Sequence, residues 1–217
     1  MLIALQGRSR WLAAGATLVA AVLFAWAWGS APINLRERIF PKNLAEVEGG
    51  WLYRSGQIKP NLIENTLRDL DIDLIVDLTF DRGNADASQN AEREATAKLG
   101  IETRRFPMHG DGVGSIENYA GAINAIASAG REGKRVLVHC RAGDRRTGGV
   151  LAAYQMLVEG KSSKDARAEM ERFNRNPGAP SKLTRFLNEH LAEIGRELIA
   201  RGVIQKLPEP LPTFAAL

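Results

Sequence analysis

The residue types able to do covalent chemistry are concentrated in Val136-Leu-Val-His-Cys-Arg-Ala-Gly-Asp-Arg-Arg-Thr-Gly-Gly149. Cys140 is the only cysteine of the chain, and it follows a short β-rich apolar run and His139. Arg146, Thr147 and a glycine pair come next, ahead of a helical pattern over Val150–Val158. A loop that feeds a helix N-terminus points several backbone N–H groups at one spot and so binds a phosphate-sized anion. Gly143 permits the backbone conformations that such a loop needs. The same field favours thiolate over thiol, and cysteines so placed have pKa values of roughly 3.5–7.5. Arg146 can grip two anion oxygens with its planar fork, and the Thr147 hydroxyl can reach the sulfur. The stretch reads as a nucleophile in an anion cradle. An inert, buried Cys140 ending a core strand would leave the neighbouring glycines and arginines without a purpose.

The spacing Cys140-x5-Arg146, preceded by His139 and followed by Thr147-Gly148, resembles the active-site signature of cysteine-dependent protein tyrosine and dual-specificity phosphatases. The resemblance covers about residues 50–175 and implies hydrolysis of phosphate monoesters through a phosphocysteine. Cys140 would be the nucleophile, and Arg141, Ala142, Gly143, Asp144, Arg145 and Arg146 would form the phosphate-binding loop. Thr147 would ease departure of the sulfur, and His139 would order the loop. The family's general acid is an aspartate on a mobile loop ahead of the nucleophile, between a strand and a helix. Asp111 in Met108-His-Gly-Asp-Gly112 stands in that context, with Asp81 as competitor. Tyr53-Arg-Ser-Gly-Gln57 resembles the first strand of small dual-specificity phosphatases, which offers Arg54 and Ser55 as substrate contacts. Arg141 and Arg145 either extend the preference to polyanionic substrates or face solvent.

The partners so implied are a phosphorylated protein or a small phosphomonoester. Phosphoinositides, inositol phosphates and phosphatidylglycerophosphate are the alternative substrates. A rhodanese-like sulfurtransferase also uses a cysteine in an anion-binding loop, and a phospho-binding pseudophosphatase would keep the cradle alone. No cofactor is expected. No metal is expected either, since zinc-type Cys/His spacing is absent and one cysteine cannot form an internal disulfide. The net charge of +4 is mild and its basic residues are scattered, which does not argue for nucleic acid.

The elements that must position this chemistry follow from patterning. Residues 1–10 form a basic tail. No charged residue occurs from Trp11 to Leu35, and about 20 helical residues span a bilayer core of roughly 30 Å. Trp11, Trp26 and Trp28 suit the two interfaces. Residues 11–31 are therefore read as an uncleaved single-pass anchor, although Ala25, Ala27 and Ala31 are small enough for a peptidase. A tiny basic head before the first span stays in the cytoplasm as a rule, which places the catalytic domain outside a bacterial inner membrane. Residues 32–49 read as a linker, 50–203 as the phosphatase domain and 204–217 as a Pro-rich tail.

Within the domain, strands are expected over 51–57, 73–79, 101–107 and 136–138. Helices are expected over about 62–70, 87–99 capped by Gly100, 116–129 after Ser115, 150–158, 164–174, and from Ser181 to Arg201. Asp77 reads as a structural hydrogen-bonding group at a strand end. This alternation gives an α/β fold with a central, largely parallel sheet flanked by helices.

Overall fold

The computed structural model describes Glu37, residues 39–174 and residues 182–214. The chain divides into two units, Met1–Ile39 and Phe40–Leu217, and every element named below belongs to the second. The expected membrane span, the turn at Pro177 and Pro180, and the Ser181 cap lie outside the described residues. Among the described residues no helix is long and apolar enough to cross a membrane.

Five strands form one mixed sheet: β1 (Ala45–Glu48), β2 (Leu52–Ser55), β3 (Leu74–Asp77), β4 (Glu102–Arg105) and β5 (Val136–His139). Their order is β1-β2-β5-β3-β4. Only β1 runs antiparallel to its neighbour; β2, β5, β3 and β4 are mutually parallel. The register sets Ser55, His139, Asp77 and Arg105 in one row across the C-terminal ends of the parallel strands. In open α/β sheets that edge is where ligands bind.

The helices are α1 (Ile63–Asp69), α2 (Ala87–Leu99), α3 (Ile116–Arg131), α4 (Arg145–Leu157), α5 (Ser163–Glu171) and α6 (Lys182–Ala200). Successive side chains of a strand point to opposite faces, and both faces of this sheet are covered. Leu74, Val76, Val136 and Val138 pack with residues of α3, α4 and α6, while Ile75 and Leu137 pack with α1 and α2. Burial on both sides explains why β3 and β5 are continuous apolar runs rather than alternating ones. Each fully buried Val, Leu or Ile contributes roughly 1.5–3 kcal/mol, so β5 is a firm base for the residue that follows it.

Local signals set most boundaries. Gly100 closes α2 in the left-handed region at φ 70°, and the Ser115 hydroxyl accepts from Asn118 N at the start of α3. Two segments differ from expectation. The presumed linker contains β1, and the presumed tail folds back onto α6. There Asn188 holds Phe214 through both backbone groups, at 2.8 and 2.9 Å, and Phe214 is buried.

Candidate active site

The loop from Cys140 to Asp144 joins β5 to α4, and its carbonyl groups are fastened from outside. Arg141 O accepts from Gln57 N at 3.2 Å, Ala142 O from Asn43 Nδ2 at 2.8 Å, and Gly143 O from Arg54 Nη2 at 2.8 Å. With three consecutive carbonyls turned out, the N–H groups are left to converge on the inner side. Gly143 N donates to Cys140 Sγ at 3.2 Å. Gly143 has φ +70°, and a Cβ there would lie 2.6 Å from the Ser55 carbonyl carbon. Both the conformation and the lack of room demand glycine.

Cys140 is buried, with about one per cent of its surface exposed. Burial by itself opposes ionisation of the thiol. The Thr147 hydroxyl, the Arg146 charge and the backbone N–H groups of Thr147 and Asp144 outweigh it, so the thiol ionises below its ordinary range. The Thr147 hydroxyl is fully buried, and its alignment falls short of a formal hydrogen bond to any described group. Arg146 stands at the first turn of α4, and its Nη1 lies 3.4 Å from Leu78 O. These positions bring Cys140, Arg146, Thr147 and the loop amides into one site. Of the remaining loop side chains, Arg141 and Arg145 are exposed and Asp144 is half-buried.

Arg54 and Ser55 do not meet solvent as substrate contacts would. Both are fully buried, because β2 is an interior strand that runs directly behind the loop. Besides Gly143 O, Arg54 donates from Nη1 to the Glu169 backbone carbonyl at 2.8 Å and to Glu169 Oε1 at 2.6 Å. Its guanidinium also lies over the Phe173 ring, 4.8 Å from the centroid. Arg54 therefore ties the phosphate loop to α5 from beneath. Ser55 Oγ finds no hydrogen-bond partner among the described residues.

Asp111 is half-buried on the loop between β4 and α3, where its Oδ1 accepts from Val113 N at 3.1 Å. The loop is drawn together by hydrogen bonds. His109 N donates to Val113 O, Gly112 N to His109 O, both at 2.9 Å, and Tyr119 Oη donates to Gly112 O at 2.6 Å. Burial, then the Asp111 charge, push ionisation of Tyr119 far up, which keeps its hydroxyl a donor. Gly112 has φ +92°, and a Cβ on it would lie 3.2 Å from Arg145 O, so the Asp111 loop abuts the start of α4. Asp81, the competitor, is an exposed carboxylate. A hydrogen bond from Gly83 N and the charges of Arg105 and Arg93 lower its pKa, which unfits it to donate a proton near neutral pH.

Behind the nucleophile lies a charged cluster that sequence reasoning only partly found. His139 Nε2 is 3.3 Å from Glu92 Oε2 and 3.7 Å from Asp77 Oδ1, and all three residues are buried. Burial works against a charged imidazole, but the carboxylates of Glu92 and Asp77 and the neighbouring Cys140 raise its pKa to about 10. Among the described residues neither ring nitrogen has an aligned hydrogen-bond partner, so the ring acts through charge. Asp77 is engaged further by Thr79 N, Thr79 Oγ1 and Arg105 Nε, at 2.7–2.8 Å. The three ligand atoms lie within 4.8 Å of one another, but the two carboxylates favour a protonated imidazole, and a metal would first have to displace that proton. Asp77 makes the structural bonds expected of it. Glu92 had no local signal, since a glutamate in an Ala- and Glu-rich helix reads as solvated.

A thiol of lowered pKa in an amide-lined loop at a helix start, with an arginine one turn along, defines a cysteine-dependent phosphatase. The chain belongs to the dual specificity phosphatase catalytic-domain family, whose model matches residues 54–191, more than half of its length. Solved structures agree on the fold. The G95A mutant form of Tk-PTP is 26% identical, with a TM-score of 0.53, and the match covers 73% of this chain and 95% of that one. The catalytic core of the S. cerevisiae PP-IP phosphatase SIW14, in complex with citrate, is 21% identical with a TM-score of 0.59, covering 79% and 97%. P. aeruginosa TpbA is 20% identical with a TM-score of 0.50, covering 74% and 92%. No curated protein matches the sequence.

Proposed function

We propose that this phosphatase hydrolyses phosphate monoesters through a phosphocysteine on Cys140. The observation that carries this reading is the outward fastening of three consecutive loop carbonyls around a thiol that ionises below its ordinary range. The thiolate attacks phosphorus, and the leaving oxygen takes its proton from Asp111. Charge building on the equatorial oxygens is met by loop N–H groups and the Arg146 fork, fixed in place before the reaction begins. Water, deprotonated by Asp111, then attacks the phosphocysteine, and the sulfur leaves as a thiolate stabilised by Thr147. His139 holds positive charge behind the sulfur and takes no proton in the cycle.

The substrates fitting this reading are phosphorylated proteins or small phosphomonoesters, including inositol phosphates and lipid head groups. The uncharged stretch from Trp11 to Leu35 supports a single-pass anchor, with the catalytic domain on the extracytoplasmic side. Full-length protein should hydrolyse p-nitrophenyl phosphate in the presence of a metal chelator, and Cys140→Ser should abolish it. Thiocyanate formation from thiosulfate and cyanide, with no phosphatase activity, would replace the reading by a sulfurtransferase. A full-length chain that alkaline carbonate strips from membranes would sink the anchor.

A further inference from the structure

Beside the cradle lies a small open depression lined by residues that include Phe80, Arg82, Asp86, Gln89, Arg141 and Arg146. It shares Arg146 with the catalytic site, which makes the two neighbours. Three guanidinium groups line it against one carboxylate. That carboxylate is largely committed: Asp86 Oδ1 accepts from Ser88 N and Gln89 N as the cap of α2, and Oδ2 lies 3.6 Å from Arg141 Nη1.

Arg82 stands out among its neighbours. Arg93 and Arg105 are both paired with Asp81, at 3.6 and 3.0 Å. Among the described residues the Arg82 guanidinium has no hydrogen-bond or ion-pair partner, and it faces the depression. Its backbone is nonetheless firmly placed. The buried Gln89 amide accepts from Arg82 N at 3.0 Å and donates to Thr79 Oγ1 and Phe80 O, both at 2.9 Å. Arg93 and Asn90 hold the following turn through Gly83 O and Asn84 O. The loop thus presents an uncommitted cation from a rigid platform. Phe80, half exposed and tilted against His109 at 5.8 Å, offers an apolar wall at the rim.

We propose that Arg82 and Arg141 form a second anion subsite, which takes the other phosphate of a substrate that carries two on neighbouring positions. The proposal rests on the phosphatase reading of Cys140 and names its substrate class, bisphosphorylated small molecules or head groups. One phosphate enters the cradle; the second displaces Asp86 from Arg141 and pairs with Arg82, while Phe80 covers the connecting carbon skeleton.

The test compares full-length wild-type protein with Arg82→Ala and Arg82→Lys on three substrates. These are phenyl phosphate, a soluble inositol 4,5-bisphosphate, and the same head group in phosphatidylcholine vesicles. A hydrogen-bonded charge contact is worth about 1.5 kcal/mol or more, so Arg82→Ala should raise KM for the bisphosphates about tenfold. Phenyl phosphate kinetics should stay within about twofold, and Lys should restore part of the loss. The source turned over with the higher kcat/KM identifies a free or a lipid ligand. Equal changes on all substrates, or none on any, would overturn the subsite. Calorimetric binding of inorganic phosphate and pyrophosphate to Cys140→Ser protein separates this claim from the catalytic one. If no substrate is hydrolysed but pyrophosphate binding still depends on Arg82, the phosphatase reading fails and the subsite stands. Hydrolysis of all substrates without any Arg82 dependence means the reverse.

Discussion

Replacing Arg54 by Met removes a cation that no substrate touches, and the loss should still reach the chemistry. The guanidinium is fully buried and makes three hydrogen bonds, to Gly143 O and to two oxygens of Glu169. Breaking a buried pair by deleting one partner costs about 3–5 kcal/mol. Here the lower end applies, because Arg172 Nη1 is 3.6 Å from Glu169 and can take over part of the role. A loss of about 3 kcal/mol lowers Tm by roughly 6–12 °C in a domain of this size. Freeing Gly143 O should also let the loop amides turn away from the sulfur. Alkylation by iodoacetamide reads this directly, since Cys140 is the sole cysteine. Its pH midpoint should move up, and kcat/KM should fall at least about tenfold at a temperature where the variant stays folded. The control is Leu67→Ala, which opens the other core layer at a similar cost of about 2–5 kcal/mol. If Arg54→Met loses stability but matches Leu67→Ala in thiol reactivity and kcat/KM, the loop is held by other means.

If Asp111 protonates the leaving oxygen, Asp111→Asn should slow alkyl phosphates by about 10²–10⁴-fold and activated aryl phosphates less, with Asp81→Asn leaving this dependence unchanged. Leaving-group series on both variants check this. His139 is raised from 6.5 to about 10 on folding, so its contribution to stability is complete below pH 6.5 and is lost as pH rises through about 10. Urea titrations should show stability falling across this window in the wild type and less steeply in His139→Gln.

The reacting centre was legible in the sequence because it is local. Cys140, Gly143, Arg146 and Thr147 lie within one strand–loop–helix, and the apolar runs of β3 and β5 announce strands buried on both faces. What holds that centre was not legible, because its bonds join residues far apart in the chain. Arg54 meets Glu169 across 115 positions, and an arginine on a short strand reads as solvated. Its burial also depends on β1, whose Ala-Glu-Val-Glu sequence carries too little apolar patterning to signal a strand. Likewise, the Pro-rich run before Phe214 gives no hint of the Asn188 clamp that returns it to α6. Tertiary partners decided these segments over their local composition.

The central claim is that Cys140 becomes phosphorylated during turnover. The most direct measurement is rapid acid quenching of the Asp111→Asn protein during hydrolysis of an aryl phosphate, followed by mass spectrometry of its peptides. With the acid–base group disabled and a good leaving group supplied, the intermediate should accumulate. One phosphoryl group should then appear on the peptide containing Cys140, and Cys140→Ser should remove it. Steady turnover with Cys140 unmodified at every quench time, or a phosphoryl group carried by another residue, would contradict the account.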